Sequence, residues 1–293
     1  MERPRSLPVS GLVITYNEET NLPACLDSMS FLDEVFVVDC YSQDGTSGVC
    51  ERHADAGVRM LQHEFEDYSS QRNWALREVP WSNEWILAVD ADERVTPELA
   101  AELELLFQEG EGPDCDAYML RRRFYFLGRR IRHCGLYSCW LVRLFKRNKT
   151  HYERKINEQV VVDGRIGRLQ NDLLHEDRKG VAAWIWKHNR YSSMEAESVS
   201  QERHMSLRHD LSRLGVEGLG ALRDPLRRRI LLKQGFRRLP CRYLFVFLYM
   251  YVVKLGFLDG MPGFYYCLLH AANQVHIAAK TYEKKVRKQG RKG

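Results

Sequence analysis

The stretch Trp85–Ile86–Leu87–Ala88–Val89–Asp90–Ala91–Asp92–Glu93 carries an apolar run straight into three acids. An apolar run with no polar alternation reads as a strand buried on both faces, as in a parallel sheet. The acids then stand at its carboxyl end, which is where open α/β sheets bind their ligands. In extended chain, Asp90 and Asp92 point to the same side. Two carboxylates so placed repel each other unless a cation lies between them. Hard oxygen ligands of this kind suit Mg²⁺ or Mn²⁺ shared with substrate phosphates. The plainer reading is an acidic turn that starts a helix at Thr96–Pro97–Glu98.

Working outward, Val9–Thr15 reads as a first strand, ending in Tyr16–Asn17–Glu18–Glu19. Asn21 is placed to cap a helix over Leu22–Met29, with Pro23 in its first turn. Glu34–Asp39 is a second apolar strand, again with an acid at its carboxyl end. A turn at Ser42–Thr46 leads into a helix to about Ala54, then a short strand at Val58–Leu61 and a helix over Tyr68–Glu78. Strands alternating with helices indicate βαβ units and a mostly parallel sheet. Right-handed crossovers would line up Glu18, Asp39, Asp90 and Asp92 along one edge. Reading every one of these acids as a mere turn residue requires the same coincidence on three successive strands. Neither G-x-G-x-x-G after the first strand nor G-x-x-x-x-G-K-[ST] is present, so the dinucleotide and P-loop readings lack their phosphate-binding parts.

Four segments in register resemble glycosyltransferase family 2. They are Thr15–Glu19, Val37–Thr46, Gln71–Arg72–Asn73 and Asp90–Ala91–Asp92–Glu93, spread over roughly the first 150 residues. The resemblance implies an inverting, nucleotide-sugar-dependent enzyme of the GT-A fold. It implies that Thr15, Tyr16, Glu18 and Asp39 hold the nucleoside, with Arg72 and Asn73 also near the nucleotide. It implies that Asp90, Ala91 and Asp92 meet the diphosphate through a divalent metal. Cys40 departs from the small polar residue commoner at its position.

Ala117–Phe126 and Trp140–Lys146 read as further strands, joined through a basic turn at Arg129–Arg130. Taken singly, Arg121, Arg122, Arg123, Arg143 and Arg147 each read as solvated surface charges. Tyr152–Val160 and Leu173–Asp177 resemble segments of bacterial lipopolysaccharide-core β-1,4-glucosyltransferase-like enzymes. Those carry a His-Glu pair and a later Leu-x-His. Here the pair is Asn157–Glu158, so only the acid is retained. On that likeness Glu158 is the expected general base and His175 a metal ligand beside Asp92; the plainer reading of His175 is a core or capping histidine.

The formal charge of +5 hides a division: residues 1–118 hold 25 acids and 7 bases, and residues 119–293 hold 14 acids and 37 bases. Such asymmetry turns the second half toward something anionic. Arg223–Arg242 holds eight bases against the single acid Asp224, and it leads into the wholly apolar block Tyr243–Val253. That block is too short to span a bilayer, which needs about 20 residues. A basic flank beside a short apolar helix suits an anionic membrane surface. The plainer alternative is a helix packed on the catalytic domain or on another copy, in a homo-oligomer. Nucleic acid is the other anionic partner to weigh, and the apolar block argues against it. A nucleotide-sugar binder without activity is a further alternative, disfavoured by the intact acids.

The eight cysteines form no C-x-x-C pair and Cys134 and Cys139 have no histidine arranged for zinc, which fits a reducing compartment. Met1–Ser10 lacks the apolar core of a signal peptide. The expected organisation is a GT-A-type α/β catalytic domain over 1–180, with the nucleotide-sugar side at 1–118 and the acceptor side at 119–180. A helical, basic and apolar extension over 181–293 follows, and the expected location is cytoplasmic, at the inner face of the membrane.

Overall fold

The computed structural model describes residues 7–108, 113–135, 140–153, 159–217 and 241–289, with backbone alone at 198 and over 200–217. The chain divides into two compact units, Met1–Gly180 and Val181–Gly293.

The first unit is built on a ten-stranded mixed sheet. Its first half is parallel: β1 (Val9–Thr15), β2 (Val35–Asp39), β3 (Val58–Gln62) and β4 (Trp85–Asp90) lie in the order β3-β2-β1-β4. β1, β2 and β4 are buried on both faces, as their unbroken apolar runs require, while β3 is an edge strand that exposes Arg59 and Gln62. Val9, Val13, Val37, Leu87 and Val89 pack on one face with α1 (Leu22–Asp27), α2 (Thr46–Arg52) and α4 (Pro97–Gln108). Leu12, Phe36, Val38, Ile86 and Ala88 pack on the other with α3 (Tyr68–Glu78). The asparagine expected to cap α1 does not do so. Asn21 has a helical backbone, and its side chain makes no bond to the helix end.

Beyond β4 the sheet is mixed rather than parallel. After β5 (Glu93–Val95), the long β6 (Ala117–Phe126) is followed by β7 (Arg129–Arg130) and β8 (Trp140–Lys146). β9 (Thr150–Glu153) and β10 (Gln159–Val162) form a separate hairpin-like pair, and β11 (Ile166–Arg168) and β12 (Leu173–Glu176) return to the main sheet. β8 runs antiparallel between β4 and β6, and β12 joins β6 to β5. The carboxyl ends of β4, β6 and β12 and the amino end of β8 therefore meet at one rim.

The second unit is helical. α5 spans Gly180–Glu217, α6 spans Arg242–Leu248, and α7 spans Gly260–Gln289. A π-helical turn, Tyr249–Val253, and a 3-10 turn, Gly256–Asp259, join α6 to α7. Lys280 of α7 donates to the Asn189 carbonyl at 2.6 Å and to Ser192 Oγ at 2.7 Å on α5. Most of the basic stretch 223–242 lies outside the described residues.

Candidate active site

β4 ends at Asp90, and the chain turns at Ala91–Asp92 before β5 begins. That turn breaks the two-residue period of a strand. The extended geometry from which their spacing was read therefore does not continue past Asp90. The cations beside Asp90 are the protein's own. Arg72 Nη2 on α3 donates to its Oδ1 at 2.6 Å, and Arg143 on β8 donates to both oxygens, from Nη1 at 3.3 Å and from Nη2. Burial pushes the Asp90 carboxyl up, but Arg143 and Arg72 outweigh it and hold the group well below the usual carboxylate range.

Arg143 is the largest departure from the sequence reading. It is 6% exposed rather than solvated. β6 pairs Tyr118 with Leu144 and Met119 with Val142, so Arg143 stands at a bulge opposite no β6 residue. A bulge re-aims one side chain, here into the rim. Its Nη2 also donates to Glu93 Oε1 at 2.8 Å, and Glu93 Oε2 accepts the Asp90 N–H at 3.0 Å. Arg122, another arginine read as solvated, lies 3.5 Å from Glu93 Oε1. Glu93 is fully buried. Ion-paired with both arginines and closed to solvent, it braces the rim from beneath.

β12 pairs antiparallel with β5, setting His175 opposite Glu93. The His175 ring stacks on Phe124 at 5.1 Å. Its Nδ1 stands 3.5 Å from Asp92 Oδ1 and 3.9 Å from Glu93 Oε1, is buried, and makes no hydrogen bond. A bare ring nitrogen beside carboxylates is a donor set for a divalent cation: two ligands each about 2.1 Å from an octahedral ion stand about 3 Å apart. Among the described residues no group of three or more His, Cys, Asp or Glu is arranged to hold a metal. Asp92 and His175 would supply two ligands and leave the remainder to diphosphate oxygens and water, as hard cations at phosphate sites prefer.

The loops after β1 and β2 are stitched into one wall. Thr15 Oγ1 donates to Asp39 Oδ1 at 3.1 Å, and Asp39 Oδ2 accepts the Ser42 N–H at 2.9 Å. Asn17 Oδ1 accepts the Gln43 N–H at 2.8 Å, and Glu18 N–H reaches Thr46 Oγ1 at 2.9 Å. Asn17 and Tyr41 have φ of 54° and 58°, left-handed values costly for a tyrosine. Tyr16 and Tyr41 both leave their rings exposed. The sequence singled out Tyr16 and passed over Tyr41, whose backbone geometry has no signature in the chain.

A strap from the end of β12 closes on this wall. Asn21 Nδ2 donates to Glu18 Oε2 at 2.9 Å and to Asp177 Oδ1 at 3.0 Å, while its Oδ1 accepts the Arg178 N–H at 2.8 Å. Lys179 Nζ bonds Glu18 Oε1 at 2.5 Å. Burial pushes the Glu18 carboxyl up, and Lys179 offsets part of that. The side chain expected to cap α1 thus joins β12 to the loop after β1.

Asn73 sits on α3 with both ends of its amide committed. Its Nδ2 donates to the Tyr152 carbonyl at 2.8 Å, and its Oδ1 accepts the Tyr152 N–H at 2.8 Å. It anchors β9 to α3. Ala91 is buried in the turn between the two aspartates. Glu158, the expected base, lies outside the described residues.

A family model described as "Glycosyl transferase family 2" matches residues 10–177. The chain is 30% identical over 196 residues to the lipopolysaccharide core biosynthesis glycosyltransferase LpsC of Rhizobium meliloti, covering 65% of this chain and 71% of that protein. It is 26% identical over 207 residues to an uncharacterized glycosyltransferase of Rickettsia felis, covering 66% and 71%. Among solved structures, TarS 1–349 of S. aureus in complex with UDP aligns with a TM-score of 0.44 at 16% identity, over 94% of this chain and 91% of that one.

Proposed function

Because the chain belongs to glycosyltransferase family 2, and is a glycosyltransferase with a GT-A-type α/β fold, we propose the following reaction for it. A sugar passes, with inversion, from a nucleotide-diphosphate sugar to a glycan or lipid-linked acceptor of bacterial cell-envelope polysaccharide or lipopolysaccharide assembly. The donor in this reading is a UDP-sugar. The relationship to LpsC supports the envelope acceptor. The observation that carries the chemistry is the division of labour at the β4 rim. Asp90 and Glu93 are ion-paired with Arg143, Arg72 and Arg122, while Asp92 lies beside Nδ1 of His175.

In this reading residues 1–118 bind the donor. Thr15, Tyr16, Glu18 and Asp39 form the nucleoside wall, and Arg72 and Asp90 fix the floor beneath the diphosphate. Asp92 and His175 hold Mg²⁺ or Mn²⁺, which when bound neutralises charge on the departing diphosphate. Residues 119–180 form the acceptor side. Glu158 takes the proton of the acceptor hydroxyl, whose oxygen bonds to the anomeric carbon as the bond to the diphosphate breaks on the opposite face. General-base help of this kind is worth typically 10²–10⁴-fold. Residues 181–293 associate with the anionic inner face of the cytoplasmic membrane, the basic sequence 223–242 supplying the attraction.

The test is nucleotide release from a panel of UDP- and GDP-sugars, with and without a lipid-linked or lipopolysaccharide-core acceptor and with and without EDTA. Acceptor-dependent release from one UDP-sugar, abolished by EDTA and restored by Mn²⁺ or Mg²⁺, is the expected result. No release from any donor with any such acceptor would overturn the reading.

A further inference from the structure

From Tyr243 onward α6 carries only apolar and aromatic side chains, yet much of its surface is open. Between Tyr243 and Leu258 the sequence carries one charge, Lys254. Phe245 and Tyr249 are 52% and 51% exposed, and Val253 is 65% exposed. The open surface continues through Phe257 and Leu258 of the 3-10 turn, then along α7 at Met261, Tyr265, Leu268 and Val275. That helical spacing puts the α7 residues on one stripe. A helix apolar all round belongs in a protein core or in lipid. Contiguous apolar surface of this extent marks a docking face.

The bend between the helices is built by the chain itself. Phe247 stacks on Tyr251 at 5.2 Å, and both meet Phe264 edge-on, at 5.9 and 5.6 Å. Leu255 and Gly260 take φ of 57° and 67°. A Cβ on Gly263 would fall 2.4 Å from the Gly256 carbonyl oxygen, so only glycine lets α7 start this close to the turn. The result is a 71° bend between Arg242–Val253 and Gly256–Arg287. Among the described residues no single helix is long and apolar enough to cross a membrane, while this bent pair passes on length and composition together. Arg242–Val253 amounts to 12 residues, at most about 18 Å of helix. A hydrocarbon core is about 30 Å thick.

We infer that α6, the turns after it and the exposed stripe of α7 embed in the hydrocarbon of one leaflet of an anionic membrane, as a bent helical wedge that does not cross it. This deepens, and rests on, the membrane-surface part of the proposed function, taking the apolar block from the surface into the hydrocarbon. Charge selects lipid over a second copy of the chain. From Pro225 to Leu258 the sequence contains eight lysines and arginines and no acid. Two copies of so basic a sequence repel each other, whereas an anionic leaflet attracts it, each base near the surface adding about 1 kcal/mol. Tyrosines 243 and 249 and the stem of Lys254 suit the headgroup boundary, where amphipathic side chains collect.

The experiment is vesicle flotation of the full chain at 50 mM and 0.5 M NaCl, on phosphatidylcholine alone and on phosphatidylcholine with phosphatidylglycerol. A companion variant carries Leu244→Ser, Phe245→Ser, Leu248→Ser and Val252→Ser; its folding is checked by UDP binding. The wild type is expected to float on anionic vesicles at both salts and to resist carbonate extraction. The variant, with UDP binding unchanged, is expected to lose at least tenfold in vesicle affinity at high salt. Flotation that disappears at 0.5 M NaCl would overturn insertion and leave the surface reading standing. No flotation at any salt, with sugar transfer intact, would overturn both membrane readings and leave the transferase. A detergent-free dimer that the serine substitutions convert to monomer would assign the face to a second copy instead.

Discussion

His175 Nδ1 and Asp92 Oδ1 stand 3.5 Å apart on separate segments of the rim, the nitrogen buried and without a hydrogen bond. A divalent cation between the two would bond the ring nitrogen and the carboxylate oxygen together. His175→Ala is therefore expected to raise the Mn²⁺ concentration for half-maximal activity about tenfold or more, with activity recovering at high Mn²⁺. Asp92→Ala is expected to lower kcat about 10²-fold or more at any metal concentration, since in the proposed reaction a cation held there would stabilise charge on the leaving diphosphate by several kcal/mol. A metal titration of both variants checks this. Unchanged half-saturation in His175→Ala would make the histidine a core residue stacked on Phe124.

Arg143 holds two acids at once. Replacing it by Met leaves Glu93 buried without this cation, and the expected destabilisation is about 3–5 kcal/mol. The pH dependence has a fixed sign. The folded-state carboxyl of Asp90 lies well below its ordinary value, chiefly against the burial penalty through Arg143 and Arg72. Its contribution is thus complete above the unfolded pKa of about 4 and is lost as pH falls toward the folded one. The gap in melting temperature between wild type and Arg143→Met should be full at pH 7 and narrow below about pH 4. A gap independent of pH would show that packing, not charge, is what Arg143 supplies.

Asn73→Ala distinguishes an anchor from a nucleotide contact. Both amide ends are committed to Tyr152, so the substitution strands a backbone N–H and carbonyl at a cost of about 1–3 kcal/mol. Thermal stability should fall while UDP affinity stays within about twofold. The reverse pattern, seen by calorimetry, would restore Asn73 to the nucleotide.

Glu158→Gln keeps size and hydrogen bonding but removes the base. Donor binding should be unchanged and kcat should fall about 10²-fold or more. If turnover barely changes, Asp177 is the next carboxylate to test. Its Oδ1 already accepts from Asn21 and from the Lys179 N–H, and Glu93 is closed to substrate by burial.

The parallel half of the fold was legible in the chain because β1, β2 and β4 are buried on both faces and so announce themselves as unbroken apolar runs. β1, β2 and β4 end in acids or polar turns where the sequence says they should, and Ala117–Phe126 and Trp140–Lys146 are strands over the ranges their residues indicate. The family was legible because four short segments recur in order. Partnership was not. Whether Arg143 lies in water or between two carboxylates depends on a bulge in β8, and a bulge is a property of the pairing of two strands. Asn21 reads as a helix cap from its neighbours alone, but Glu18 and the distant Asp177 and Arg178 claim its side chain. Asp90 and Asp92 look equivalent in sequence, but Asp90 pairs with Arg72 and Arg143 while Asp92, in the turn, lies beside His175. Local order is written by periodicity, which one chain segment carries by itself. The ion-pair and hydrogen-bond partners of the side chains at the rim are decided only where strands far apart in sequence meet.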